Sequence, residues 1–296
     1  DGIRDNRSSR GLGDDYKRQN YLRSQKQTKL IDPIKYGLFP GGKKIRVKIL
    51  VDIGKILSVP YRHLIRIGAA IECIHAYSLI HDDLPCMDDD DIRRGKLTVH
   101  KKYGESTAVL AGNSLLTMAF EIISEKKFPI QDKKKNQLVH ILAASSGHTG
   151  IAGGQFLDLS FERQRIGKSK ILEMQLNKTG KLFMFSTLAP AILSNKKNIF
   201  KKFSNLGLEI GLLFQIIDDL LDFKGNAKKL GKKIHKDKKK GKATLISLLG
   251  YKNTVKYCNF KKDKIFKVLK NLKKSNDLKD TIEFIINREK WKNISF

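Results

Sequence analysis

Carboxylates and guanidinium groups are concentrated in one short stretch of this 296-residue chain, residues 80–95, which holds six aspartates and two arginines. Carboxylates this close repel one another unless cations lie among them, and adjacent arginines fork readily onto phosphate or carboxylate oxygens. Mg²⁺ bridged to a phosphorylated ligand meets both requirements, because Mg²⁺ takes a few carboxylates, waters and phosphate oxygens. The stretch therefore predicts a site for a metal-bound phosphorylated ligand, with a solvated acidic turn as the alternative.

A second acidic cluster follows about 130 residues later, at Asp218, Asp219 and Asp222, inside the apolar pattern of residues 208–221. On a helix Asp218 and Asp222 stack one turn apart, with Asp219 beside them and Gln215 one turn earlier. Acids on an otherwise apolar helix are costly to bury without cations. An isolated helix could turn them to water, but two such clusters predict two walls of one metal-filled cavity.

Long helices must position both clusters. Apolar residues from Leu64 to Ile80 recur at three-to-four spacing and predict a helix from near Tyr61 to Asp83. Pro85 ends this helix, because proline disfavours helical geometry at the residue before it and removes a donor. A short loop must then return Asp88 to the metals.

These clusters resemble the two aspartate-rich motifs of the short-chain trans-prenyl diphosphate synthases, and the first has the spacing of the bacterial farnesyl diphosphate synthases. The resemblance runs from about Tyr36 to about Arg288. It includes segments similar to the family's GGKxxR at residues 41–46, GGQxxD at 153–158, KTG at 178–180 and LGKxxGxD with GK at 230–242. It implies an all-α isoprenoid synthase fold, a single bundle of about ten or more helices around a central apolar cavity. The polar residues 1–20 are expected to be a poorly ordered arm before one domain, 21–296.

The resemblance also implies a cofactor and a role for individual residues. The cofactor is Mg²⁺, three ions per active site, for which Mn²⁺ can substitute. The implied metal ligands are Asp82, Asp83, Asp88, Asp218, Asp219 and Asp222. The implied substrate-binding residues are Lys43, Arg46, His75, Arg93, Arg94, Lys178, Thr179, Gln215, Lys232 and Lys242. The implied catalytic set is Asp82, Asp83, Asp88, Arg93, Lys178, Asp218 and Lys232.

The implied reaction joins isopentenyl diphosphate head-to-tail to dimethylallyl or geranyl diphosphate, giving farnesyl diphosphate and free diphosphate. Tyr77 lies five residues before Asp82, roughly 7.5 Å along a helix. In the family a bulky aromatic there forms the floor that limits product length, so Tyr77 and Ser78 are the expected chain-length residues. Alternatives are a geranylgeranyl or geranyl diphosphate synthase, a class I terpene cyclase, and a non-catalytic relative. The last two usually lack one or both acidic motifs.

Composition limits the partners. The formal net charge is +29, yet the lysines are scattered in runs with little aromatic interleaving and no nucleic-acid-binding motif, so no nucleic-acid partner is expected. The three cysteines lack disulfide or zinc spacing, which favours a reducing compartment. No apolar run reaches the length of a membrane span. We expect a cytoplasmic protein, and the family implies a homodimer.

Overall fold

Almost all regular structure in the described part of the chain is helical. The computed structural model describes residues 28–39, 41–229 and 242–287, so the expected arm at 1–20 lies outside the described residues. The described α-helices are α1 Ile31–Leu38, α2 Ile45–Ile56, α3 Tyr61–Asp82, α4 Val99–Tyr103, α5 Glu105–Ser124, α6 Asp132–Ser146, α7 Ile151–Ser160, α8 Lys168–Gln175, α9 Lys181–Leu193, α10 Phe200–Lys229, α11 Leu245–Lys270 and α12 Asn276–Ile286. A π-helix at Leu176–Gly180 joins α8 to α9, and a 3₁₀ turn at Lys197–Ile199 precedes α10. The predicted all-α class is therefore confirmed.

The core is built around α3, which packs against α1, α2 and α5. Its residues Ile67, Ala70, Ile71 and Ile74 are fully buried. Burying a side chain such as Ile71 stabilises the fold by roughly 1.5–3 kcal/mol. This packing fixes the rotation of α3, and with it the direction of the acidic residues at its C-terminal end.

The chain after α3 folds back on the end of the helix. The helix ends at Asp82, one residue earlier than predicted, and Pro85 follows in the turn. The backbone N–H of Asp88 donates to the carbonyl of Asp82 at 2.8 Å, and that of Asp90 donates to Asp83 at 3.2 Å. A loop held by these bonds therefore returns Asp88 to the helix end.

The loop leads into a small β-hairpin, β1 Ile92–Arg93 paired antiparallel with β2 Lys96–Leu97. Arg94 and Gly95 form its two-residue turn, with φ of 53° and 76°. Two positive φ angles are what a twisted two-residue hairpin turn requires. Arg93 lies in the strand and Arg94 in the turn, so the adjacent arginines reach different partners.

The second half of the bundle depends on a close helix contact. A Cβ atom at Gly154 of α7 would lie 2.1 Å from the backbone nitrogen of Lys178 in the π-helix. Only glycine leaves room for the two backbones to approach this closely. The contact fixes α7 against the π-helix, which in turn packs against α10.

One described helix, α5, is long and apolar enough by composition to cross a membrane. The sequence shows no continuous apolar run of that length, so it did not identify this helix as a candidate. Of the 18 residues in its most apolar window, 44% are buried inside the protein. The helix packs against α3, α1, α4 and α6. A helix of this kind is also typical of a protein core, so the finding is weak support for a membrane span.

Candidate active site

The first acidic motif is held by two cationic side chains. Asp83 is only 3% exposed. Nε of Arg93 donates a hydrogen bond to Oδ1 of Asp83 at 2.6 Å, and Nη2 of Arg93 forms an ion pair with the same oxygen at 2.6 Å. Burial raises the pKa of Asp83 and Arg93 opposes that rise. Lys242, just before α11, approaches Oδ1 of Asp88 at 3.3 Å. Arg93, from the hairpin directly after the motif, and Lys242, from far along the chain, thus each neutralise part of the motif.

Asp82, the last residue of α3, has the most strongly raised pKa of the first motif. Burial raises its pKa to about 6, Lys178 opposes the rise, and Asp88 adds to it. A buried carboxyl beside other carboxylates favours its neutral form unless a cation stabilises the charge. The electrostatics of Asp82 therefore favour binding of a cation.

The second acidic motif is held by amide side chains. Asp219 accepts hydrogen bonds from Nε2 of Gln175 and from Nε2 of Gln215, each at 2.9 Å. Gln215 in turn accepts from the hydroxyl of Thr179 in the π-helix at 2.7 Å. Burial raises the pKa of Asp219 to about 7 despite the bond from Gln215, and Asp218 and Asp222 add to the rise. Three neighbouring acids thus repel one another on one surface of α10.

Asp158 of α7 connects the two motifs. Its Oδ2 lies 2.6 Å from Nζ of Lys178, the lysine that lowers the pKa of Asp82. Burial lowers the pKa of Lys242, but Asp88 and Asp158 together outweigh that effect and raise it. Asp158 also lies close enough to Asp219 to raise the pKa of that carboxyl. Asp158, Lys178 and Lys242 therefore lie between the acids of α3 and its loop and those of α10.

Arg94 and His75 line a cavity beside this region. The cavity has a volume of about 240 Å³. Its lining includes Gly41, Lys44, Glu72, His75 and Arg94. Burial, followed by the charges of Arg46, Arg94 and Arg93, holds the pKa of His75 well below its usual range. His75 is therefore neutral at pH 7 and can act as a hydrogen-bonding group in a cationic pocket.

The glycine pair at residues 41–42 lies against Arg94. Nη1 of Arg94 donates to the carbonyl of Gly41. Gly42 has a φ of 140°, and a Cβ there would lie 2.6 Å from Nη1 of Arg94. The two glycines thus let the backbone approach the guanidinium of Arg94 closely, and Arg94 lines the cavity.

The GGKxxR segment differs from the expectation in one respect. Nζ of Lys43 lies over the ring of Phe284 in α12 at 4.7 Å, whereas Lys44 lines the cavity. The guanidinium of Arg46 lies over the ring of Phe183 at 4.8 Å. Lys44 has a left-handed backbone with φ 44°, so successive lysines point in different directions.

The predicted chain-length residues lie one to two turns along α3 from Asp82. Tyr77 is 8% exposed, its hydroxyl donates to the carbonyl of Ser146 at 3.4 Å, and its ring packs edge-on against His81. Burial and Asp82 raise the pKa of Tyr77. The Ser78 hydroxyl donates to the carbonyl of His75 within the helix at 3.0 Å. Tyr77 thus closes the space between α3 and the end of α6.

Three features of the site were not among the predicted residues. Lys44 and Glu72 line the cavity, and Asp158 binds Lys178. Lys44 follows the Gly-Gly pair and Asp158 belongs to the GGQxxD segment, so the sequence motifs include both residues. The spacing within those motifs does not indicate which side chain each of them contacts. The predicted Lys232 lies outside the described residues.

The predicted metal ligands occupy one region without forming a compact ligand set. In the described residues the side chains whose ligand atoms converge within 4.8 Å are Asp89, Asp91 and His100, rather than any three of the six predicted aspartates. Like-charged carboxylates repel one another, which favours a wider separation of the six side chains.

Comparison with known proteins agrees with this fold. The polyprenyl synthetase family model matches residues 27–285. The farnesyl diphosphate synthase of Micrococcus luteus is 37% identical over 266 residues, covering 89% of this chain and 91% of that protein. The farnesyl diphosphate synthase of Escherichia coli is 37% identical over 273 residues, covering 89% and 90%.

Solved structures show the same relationship. An FPP/GFPP synthase from Zymomonas mobilis has a TM-score of 0.85 and 33% identity, covering 96% of this chain and 99% of that chain. A Helicobacter pylori geranyltransferase, described in complex with magnesium and isoprenyl diphosphate, has a TM-score of 0.78 and 30% identity, covering 96% and 97%. This chain belongs to the polyprenyl synthetase family, as the order of its motifs predicted.

Proposed function

We propose that the protein is a Mg²⁺-dependent farnesyl diphosphate synthase, a prenyltransferase that condenses isopentenyl diphosphate with dimethylallyl or geranyl diphosphate. The observation that carries the proposal is the junction at Asp158: Lys178 and Lys242 lie between Asp158 and the acids of the first motif, and Asp158 itself lies near Asp219 of the second. Relatives named farnesyl diphosphate synthase support the same reaction.

The donor set fits divalent cations. Asp82 and Asp219 have pKa values raised to about 6 and about 7, chiefly by burial, with like charges adding to the rise. Removing that penalty needs positive charge, and all-oxygen ligands suit Mg²⁺. We assign Asp82, Asp83 and Asp88 on α3 and its loop, with Asp218, Asp219 and Asp222 on α10, as the groups that would hold three such ions. When bound, Mg²⁺ would neutralise charge that develops on the departing diphosphate.

The cationic side chains of the junction share that task. Lys178 and Lys242, already beside Asp158 and Asp88, are placed to donate to an allylic diphosphate. Arg93 orients Asp83. Donors held in advance at a position of developing negative charge lower the barrier, because little reorganisation is needed as the reaction proceeds. Lys232, Thr179 and Gln215 complete the proposed allylic site.

Isopentenyl diphosphate is assigned to the cavity beside His75. Arg94 and Lys44, which line the cavity, would bind its diphosphate. Lys43 and Arg46, which lie over the rings of Phe284 and Phe183, would have to turn toward the cavity to add their charges. Neutral His75 contributes a hydrogen bond rather than a further charge. Holding the double bond next to the allylic carbon supplies much of the rate through orientation. The proton lost in forming the new double bond passes to the released diphosphate.

Product analysis tests the proposal directly. The protein is incubated with isopentenyl and dimethylallyl diphosphates, with and without Mg²⁺, and the dephosphorylated products are separated by chain length. We expect C15 product only when Mg²⁺ is present. Turnover that is independent of any divalent ion, or the absence of prenyl product, would contradict it.

Related activities are separated by the same assay. C20 or C10 product identifies a geranylgeranyl or geranyl diphosphate synthase. Incubation with geranyl diphosphate alone distinguishes a terpene cyclase, which releases hydrocarbon, from a synthase, which needs isopentenyl diphosphate. A non-catalytic relative gives no product in either incubation.

The homodimer and the cytoplasmic location are also proposals. On α5, Val109 and Leu110 are 38% and 54% exposed, with Leu116 and Phe120 partly buried along the helix. Such a face suits a second copy of the chain. Light scattering of the Leu110→Lys protein should give a monomer where the unaltered protein gives a dimer.

A further inference from the structure

A buried histidine lies beside the first acidic motif without a role in the proposed reaction. His100, in the first turn of α4, is only 5% exposed. Its Nδ1 lies 3.1 Å from the hydroxyl of Thr98, and its Nε2 has no hydrogen-bond partner within the described part of the chain. A ring nitrogen of His100 and a carboxylate oxygen from each of Asp89 and Asp91 lie within 4.8 Å of one another.

This geometry is unusual because a buried polar atom normally has a partner. Leaving a buried acceptor unsatisfied is destabilising, so such an atom points to a ligand. The Thr98 hydroxyl can accept from Nδ1–H, which leaves the lone pair of Nε2 available. Metal-binding histidines typically have their second ring nitrogen fixed in this way.

We propose that Asp89, Asp91 and His100 form a second cation site, separate from the six aspartates assigned to Mg²⁺. One imidazole nitrogen and two carboxylate oxygens suit a transition-metal cation, such as Zn²⁺ or Mn²⁺, better than Mg²⁺, which prefers an all-oxygen shell. Three protein ligands leave further coordination positions for water. The site rests on this geometry and does not depend on prenyl transfer.

Lys101 forms an ion pair with one of the three proposed ligands, so it competes with a cation for that carboxylate. Its Nζ lies 2.9 Å from Oδ1 of Asp91, and Asp89 is close enough to raise the pKa of Lys101 further. The Lys101 side chain is 42% exposed, so it can turn into solvent when an ion arrives. Removing Lys101 should therefore strengthen ion binding, which is opposite in sign to removing a ligand.

An ion at this site would join the acidic loop to α4. The backbone N–H of Thr98 already donates to the carbonyl of Asp91 at 3.0 Å. Asp89 has a left-handed backbone with φ 52°, which directs the loop toward the hairpin. The hairpin between Asp91 and Thr98 carries Arg93, so the ion would stiffen the segment that positions this arginine.

The test is a Zn²⁺ titration of the full, metal-free and substrate-free protein labelled with ¹⁵N, followed by the imidazole resonances. The His100 resonances are identified by their loss in the His100→Gln protein. We expect Nε2 of His100 to shift on Zn²⁺ addition, with at least tenfold weaker binding in Asp89→Asn and several-fold tighter binding in Lys101→Ala. Asp89 is exposed, so the Asp89→Asn protein should fold normally.

Matched controls are His140→Gln and Asp263→Asn, which alter an exposed histidine on α6 and an exposed aspartate on α11. Both should leave the His100 response unchanged. The proposal is overturned if Zn²⁺ leaves the His100 resonances unmoved, including when other carboxylate signals respond, or if Asp89→Asn binds as tightly as the controls. Neither result bears on C15 synthesis, because no substrate is present.

Discussion

The contact between Lys178 and Asp158 offers a quantitative test of the junction between the two acidic motifs. We consider the Asp158→Asn and Lys178→Met proteins and the protein with both changes. The 2.6 Å contact joins side chains that are only 11% and 23% exposed. It is therefore more than a surface ion pair, which contributes about 0–1 kcal/mol, and falls among hydrogen bonds to charged groups, worth about 1.5–3 kcal/mol.

The double-mutant cycle isolates this pair from the other charges around it. Lys178 also lies near Asp82, and Asp158 near Asp219, so each single change alters more than one interaction. We expect each single change to lower the free energy of unfolding by roughly 2 kcal/mol and the coupling energy to be about 1.5–2.5 kcal/mol. Urea unfolding of the metal-free proteins measures all four free energies.

A second ion pair provides the control cycle. Lys264 and Glu209 make a 2.7 Å contact in which Lys264 is 54% exposed. Its coupling energy should stay below about 1 kcal/mol, because solvent screens an exposed charge. A coupling energy between Lys178 and Asp158 no larger than that of this surface pair would refute the argument that the junction is a desolvated, ordered contact.

Three further predictions concern product length, substrate binding and pH. Replacing Tyr77 by alanine should lengthen the product beyond C15. Tyr77→Phe loses only the hydrogen bond to the Ser146 carbonyl and should still give C15. Product chromatography measures both, and an unchanged C15 product from the alanine protein would show that Tyr77 does not limit product length. Gly42→Ala should raise the KM for isopentenyl diphosphate about tenfold or more, because a Cβ at residue 42 collides with Arg94. Gly167→Ala is the control, since a Cβ there has no neighbour within 4 Å, and it should leave the KM unchanged. Equal KM values for the two variants would contradict the role of the turn at Gly42. Because the pKa of Asp219 is raised to about 7, the metal-free fold binds its proton more tightly than the unfolded chain, so this group's contribution to stability falls as pH rises toward and through 7. Mg²⁺ competes with that proton, so the rise in melting temperature on adding Mg²⁺ should grow between pH 6 and pH 8, and a pH-independent rise would count against Asp219 as a ligand.

The sequence was sufficient for the features that depend on local spacing. Proline at residue 85 and the apolar period before it placed Asp82 and Asp83 at a helix end, within one residue. The 218–222 spacing on an apolar helix grouped the second set of acids on α10. These inferences succeed because the helical period and the proline ring act within a few residues of the chain.

Other features depended on contacts between distant segments. The two lysines after the glycine pair are equivalent in sequence, and only docking of α12 brings Phe284 to Lys43 while Lys44 lines the cavity. Asp158 meets Lys178 because Gly154 lets α7 approach the π-helix backbone.

The sequence by itself determined which residue types stand on each acidic helix and, through the family motifs, the chemistry expected of them. Tertiary structure alone decided their charge balance. The raised pKa values of Asp82 and Asp219 arise chiefly from burial, and side chains that modify them, Lys178 for Asp82 and Asp158 for Asp219, come from other helices. Burial and through-space electrostatics depend on distances between packed elements, which local residue spacing does not specify.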